Sequence, residues 1–149
     1  MDDRVVNLKE EKPAVKAFDV ADYELEDTAV LELQNAKKDG ELLGSDGKVV
    51  TIELYGSGSR QAVKAALKAG RDAQTRLQAI VRGRIDPKAS EKAEEEQNER
   101  LVQCTARISP NFPVAPYDLY ANPKLGYIKR QVLAFLDDDA NFAPAPSNP

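Results

Sequence analysis

The sequence predicts an α+β, mostly helical fold: a small antiparallel β-hairpin or meander over about residues 29–55, then an antiparallel pair of long helices and a C-terminal helix. Three observations carry that expectation. Apolar residues alternate at period two in residues 28–34 and 49–55, the pattern of half-buried strands. They recur at helical spacing over 59–84, 89–108 and from Pro123 onward. Turn and proline signals separate these runs, at Asp39-Gly40, Asp46-Gly47, Asp86-Pro87 and the proline-rich stretch 109–116.

Residues 1–27 mix charges with scattered Val15, Phe18 and Tyr23, holding neither period, and predict an extended N-terminal arm. Such an arm either docks through Phe18 and Tyr23 or stays solvated. In the first strand Ala29, Leu31 and Leu33 share a face, and in the second Val50, Ile52 and Leu54 do so. The two Asp-Gly pairs supply the turns between them, and Leu42-Leu43 adds a short third segment. So small a sheet is marginal alone, so helices must cover its apolar face.

Tyr55-Gly56-Ser57-Gly58-Ser59 leads from strand to helix. It lacks the third glycine of a dinucleotide fingerprint, where Gln61 stands, and it lacks a phosphate-loop lysine. A flexible turn ending in a Ser59 N-cap is expected instead of an anion site. On the helix of 59–84, Val63, Ala66, Leu67, Ala73, Leu77, Ile80 and Val81 hold one face. Gly70 interrupts it at a cost of about 1 kcal/mol relative to Ala, as at a close helix crossing. The other face is basic, from Arg60 and Lys64 to Arg82 and Arg84, and suits nucleic acid, an acidic membrane or an acidic partner. No aromatic interleaves with it, which disfavours stacking on single strands.

The next helix, 89–108, begins acidic with Glu91, Glu94, Glu95, Glu96 and Glu99 and ends with Leu101, Val102, Thr105 and Ile108, with Cys104 as a small buried filler. Paired antiparallel, the two helices set basic and acidic flanks side by side, unless those charges are simply solvated. Beyond the connector, Asn122-Pro123 breaks a short turn bearing Leu119 and Tyr120 from one helix that starts at Pro123 and stops near Asp139. Its stripe is Leu125, Ile128, Val132, Phe135 and Leu136, onto which Phe142 can fold back. Residues 28–142 therefore read as a single domain, and 143–149 as a disordered tail.

Composition narrows the function. With no histidine and one cysteine, the chain cannot build Ser-His-Asp or Cys-His schemes or a thiolate zinc site, so the expectation is no enzyme, cofactor or metal. A net charge of −4 disfavours nucleic acid as partner. No run approaches the roughly 18 apolar residues of a membrane span, and Met1-Asp2-Asp3-Arg4 does not open a signal peptide. A cytoplasmic protein is expected.

One pattern exceeds what periodicity explains. Leu119-Tyr120-x-Asn122-Pro123-x-x-Gly126-Tyr127-Ile128-x-x-Gln131-Val132-x-x-Phe135-Leu136-x-Asp138-x-x-Asn141-Phe142 resembles the C-terminal end of the tail assembly chaperones of long-tailed phages. More loosely, Leu42-Leu43-Gly44-x-Asp46-Gly47-Lys48-x-Val50-Thr51-Ile52-x-Leu54-Tyr55-Gly56-x-Gly58-Ser59 looks like the strand entering that family's first long helix, and Leu101-x-x-Cys104-Thr105 falls where the family has a helix leading to its C-terminal block. Ser57, where proline is common, and the proline-rich connector depart from the pattern.

The resemblance implies a non-enzymatic chaperone of the host cytoplasm that binds the tape measure protein and helps recruit tail tube protein, with self-association open to it. It points to Leu119, Tyr120, Tyr127, Ile128, Phe135 and Phe142 as partner-binding residues. Read from the residues alone, the same six equally build a fold that presents some other surface. The alternative function is a virion structural component, in the tail or the head-tail connector.

Overall fold

The period-two segments become antiparallel strands β1 (Thr28–Glu32) and β2 (Thr51–Tyr55) in a computed structural model describing residues 17–84 and 86–144. Ala29 faces Leu54 and Leu31 faces Ile52, so the predicted apolar positions share one side of the sheet. Between the strands the chain makes two tight excursions, closed by the bridges Gln34 to Glu41 and Leu43 to Val49. The expected Leu42-Leu43 segment is therefore present as bridges: Leu42 N–H donates to Leu33 O at 2.9 Å, and Leu42 O accepts Val50 N–H at 2.8 Å. Gly47, at φ 77°, supplies the left-handed residue that the second turn requires.

Four helices follow among the described residues: α1 (Arg60–Val81), α2 (Ala89–Gln103), α3 (Pro116–Ala121) and α4 (Gly126–Leu136). The helix expected over 89–108 is shorter. It stops at Gln103, and Thr105–Ile108 is the third strand, β3, antiparallel to β2 in the order β1-β2-β3. Ile52 pairs with Ile108 and Leu54 with Thr105, leaving Ala106 as the extra residue of a bulge. A central strand with an empty edge gains backbone hydrogen bonds from this pairing, such as Tyr55 N–H to Cys104 O at 2.8 Å. That outweighs a helical spacing that Leu101, Thr105 and Ile108 satisfy equally well.

The C-terminal helix is also corrected. Pro123–Leu125 is a 3-10 turn, the α-helix runs only to Leu136, and Asp138 starts a further 3-10 turn, Asp139–Phe142, by accepting Ala140 N–H at 3.0 Å. Before β1, Val20–Tyr23 forms a 3-10 turn. Phe18 and Tyr23 do not dock; they are 79% and 74% exposed and stack on each other at 5.7 Å. Leu25 packs against the core instead, and Glu26 N–H donates to Phe142 O at 2.7 Å. The rest of the expected arm, residues 1–16, and the end of the expected tail, 145–149, lie outside the described residues.

The core fills the space under the sheet. Leu33, Val50, Ile52 and Leu54 meet Leu101 of α2, Leu119 and Tyr120 of α3, Ile128 and Val132 of α4, and Phe142. No side chain of α1 belongs to this cluster. The sheet's apolar face is thus covered by the short C-terminal helices, which leaves the longest helix outside.

Candidate partner-binding surface

The root of α1 is tightly held. Ser59 is buried; its Oγ donates to Gly56 O at 2.7 Å and accepts Ala62 N–H at 3.1 Å, the N-cap that the sequence predicts. Gly56 lies against Phe142 so closely that a Cβ there would sit 2.6 Å from the ring. Ser57 Oγ donates to Asp139 Oδ1 at 3.0 Å. One strand end, the helix start and the terminal turn are therefore clamped together.

From that root α1 runs antiparallel to α2, at 1.5 Å per residue about 33 Å long. The face it turns to α2 is small and charged: Ala65 is buried, Lys68 pairs with Asp72 at 3.1 Å and Glu99 at 3.6 Å, and Arg76 pairs with Glu96. The expected side-by-side placement of basic and acidic flanks is thus realised in these pairs. The hydrogen bond to Asp72 raises the Lys68 pKa, its charge adding to the effect. Toward their far ends the helices leave a cleft of about 530 Å³ between Ala79 and Ile80 on one side and Ala89 and Ala93 on the other.

Most of the larger apolar side chains of α1 point elsewhere. Val63, Leu67, Leu77, Ile80 and Val81 are between 47% and 79% exposed. At 100° per residue the stripe of Val63, Leu67, Leu77 and Val81 lies well round the helix from the face that meets α2, with Ile80 at its margin, beside the cleft. Gly70 marks no close crossing, because a Cβ there would meet nothing within 4 Å. A single exposed leucine means little, but a contiguous apolar stripe along one helix is a feature of binding surfaces. Keeping Leu67, Leu77 and Ile80 out of the core forgoes on the order of 1–2 kcal/mol each. That is a sizeable share of the roughly 5–15 kcal/mol by which domains are stable.

The six residues singled out in the sequence sit differently. Leu119, Tyr120, Ile128 and Phe142 are buried, and Tyr127 and Phe135 are half-buried against the same core. The expectation that Leu119, Tyr120, Ile128 and Phe142 meet a partner is corrected, because their side chains are already enclosed. Tyr120 hydroxyl lies 2.6 Å from Thr105 Oγ1, which donates to Leu101 O at 2.7 Å, so the phenol is the donor in that bond. Burial pushes the Tyr120 pKa up to about 12. Phe135 and Phe142 meet edge to face at 5.4 Å. Gln131 binds both backbone groups of Gln34, accepting N–H at 2.8 Å and donating to O at 3.0 Å, and Asn141 Nδ2 donates to Phe135 O at 3.0 Å. The C-terminal pattern thus describes a structural clamp.

Compared with known families, curated proteins and solved structures, the chain matches none of them. Among the described residues no group of three or more Cys, Asp or Glu is placed to hold a metal ion, and no helix is long and apolar enough to cross a membrane. The sequence contained a signal for the surface that the spacing argument missed. Ala62, Ala65, Ala69 and Ala79, with Asp72 and Arg76 between them, form a second helical face suited to close packing and ion pairing with α2.

Proposed function

We propose that the chain is a non-enzymatic assembly factor, a tail assembly chaperone in the sense its C-terminal pattern implies, that binds the tape measure protein through α1 and helps deliver tube protein to it. The observation supporting this reading is the apolar stripe of α1, exposed along a helix whose root is clamped to a closed core. A long helical client exposes amphipathic stripes before it is enclosed, and unpaired stripes associate indiscriminately. A rigidly based helix with a free apolar face can cover one such stripe, and several copies can cover a long client. Release follows from the modest area contributed by each copy.

Co-expression with the tape measure protein of the same phage genome tests the proposal. Wild-type chain is expected to raise the yield of soluble client and to co-purify with it, whereas Leu67→Asp/Leu77→Asp is expected to do neither while remaining folded. No effect of the wild-type chain on client solubility, or equal rescue by the double variant, refutes it.

A further inference from the structure

The exposed face of α1 has a regular spacing. Val63, Leu67, Gly70, Gln74, Leu77 and Val81 follow at alternating steps of four and three residues, the spacing of a seam along which two helices pack knobs into holes. Lys64 and Arg71, one heptad apart, border the seam on one side, and Ala66, Ala73 and Ile80 border it on the other. Neither Lys64 nor Arg71 has an ion-pair partner among the described residues, whereas Lys68 and Arg76, toward α2, are both paired.

We infer that this seam is one half of a coiled coil, completed by an amphipathic helix of a protein partner that sets apolar heptad positions against α1 and carboxylates against Lys64 and Arg71. The inference rests on α1 being the binding surface and specifies the chemistry of what binds there. Charge selects the occupant. A second copy lying on the same face brings no carboxylate to Lys64 or Arg71, because its own seam is bordered only by Lys64, Arg71, Gln78, Ala66, Ala73 and Ile80. A client helix with acidic borders satisfies both cations. Gly70 leaves open space for a large partner side chain, and Gln74 rewards a polar residue opposite it, which fixes the register.

The test uses the full chain and two synthetic peptides of about four heptads. Both carry the same apolar heptad, with glutamate at the border positions in one and lysine in the other, and binding is followed by fluorescence anisotropy. The glutamate peptide is expected to bind at least about tenfold more tightly than the lysine peptide. Lys64→Glu/Arg71→Glu is expected to invert that preference, and Leu67→Asp/Leu77→Asp to abolish binding of both. Thermal melts establish that the variants are folded; where the aspartate pair melts early, Leu67→Gln/Leu77→Gln serves in its place.

Equal binding of the two peptides, or binding indifferent to the seam variants, overturns the inference. So does a dimer of the chain that Leu67→Asp/Leu77→Asp dissolves, which assigns the seam to a second copy, or adsorption to anionic vesicles without peptide binding. Client co-purification separates this inference from the proposed function. Co-purification lost with the seam but unmoved by charge reversal leaves the function standing and sinks the acidic partner. A peptide preference without any tape measure binding does the reverse.

Discussion

The contact between Gly56 and Phe142 joins the root of α1 to the end of the domain, and a double-mutant cycle measures it. Phe142 is 1% exposed, meets Phe135 edge to face, and lies where the three atoms nearest a Cβ at position 56 are all in its ring, the closest at 2.6 Å. Phe142→Ala removes a buried ring and leaves a cavity, at about 3–5 kcal/mol. For a chain of this size, at about 2–4 °C per kcal/mol, that lowers the melting temperature by about 6–20 °C. Gly56→Ala alone overpacks the contact, at about 1–3 kcal/mol. In the double variant all three clashing atoms are gone, so the alanine at 56 fits and the Gly56→Ala penalty disappears. The cycle should therefore show a favourable coupling of about 1–3 kcal/mol between the two sites. Urea denaturation of the four proteins by circular dichroism gives the number. Additivity within about 0.5 kcal/mol would refute the clamp, and a loss below about 1 kcal/mol for Phe142→Ala would remove Phe142 from the core.

Gly70→Ala should stabilise the protein by about 0.5–1 kcal/mol in the same assay, because the site is mid-helix and open, so the gain in helix propensity meets no clash. A loss of stability would mean that α1 packs more closely there than the structure has it. Tyr120 should impose an alkaline stability loss: its folded pKa is raised to about 12 from 10.0, so between those values the unfolded chain gives up a proton that the folded chain keeps. Stability is unaffected by this group below the lower value and falls as pH rises through the window, by an amount on the order of 1–3 kcal/mol. Urea midpoints at about pH 9 and about pH 11.5 should diverge more for wild type than for Tyr120→Phe, and equal divergence would contradict the burial of the phenol.

What was legible in the sequence follows from which forces are local. Strand alternation in Ala29, Leu31 and Leu33 against Val50, Ile52 and Leu54 was readable because one face of a pleated strand is buried and the other is not. The Ser59 cap was readable because capping is a contact over three residues. β3 was not, because Thr105–Ile108 continues a helical spacing and only the free edge of β2 gives it another partner. The burial of Leu119, Tyr120, Ile128 and Phe142 was equally non-local, since their pattern is that of a core and of a binding face alike. On α1 the ambiguity ran the other way. Its bulkiest stripe looked like the buried one, yet α3 and α4 had already filled the sheet's apolar face, and the alanine face allowed a closer approach to the ion-pairing side of α2.

That division has a consequence for how α1 can work. A helix of 22 residues buries only Ala65, contributes nothing to the main core cluster, and is held beyond its root by small contacts and partly exposed ion pairs to α2. Such a segment opens at lower free energy than the sheet and its covering helices, since local stability follows buried apolar contact. In proteins most of a helix's stability comes from packing an amphipathic face rather than from intrinsic propensity. Covering Val63, Leu67, Leu77 and Val81 would therefore do two things at once: bury apolar surface and order the far turns of α1. The ordering reduces the net affinity, because part of the binding free energy goes into fixing the helix. The clamp at Gly56, Ser59 and Phe142 limits that cost by holding the first turns of α1 in place before anything binds. A fixed base with a loosely held far end would suit the proposed role, in which the surface covers a helical client and later lets it go.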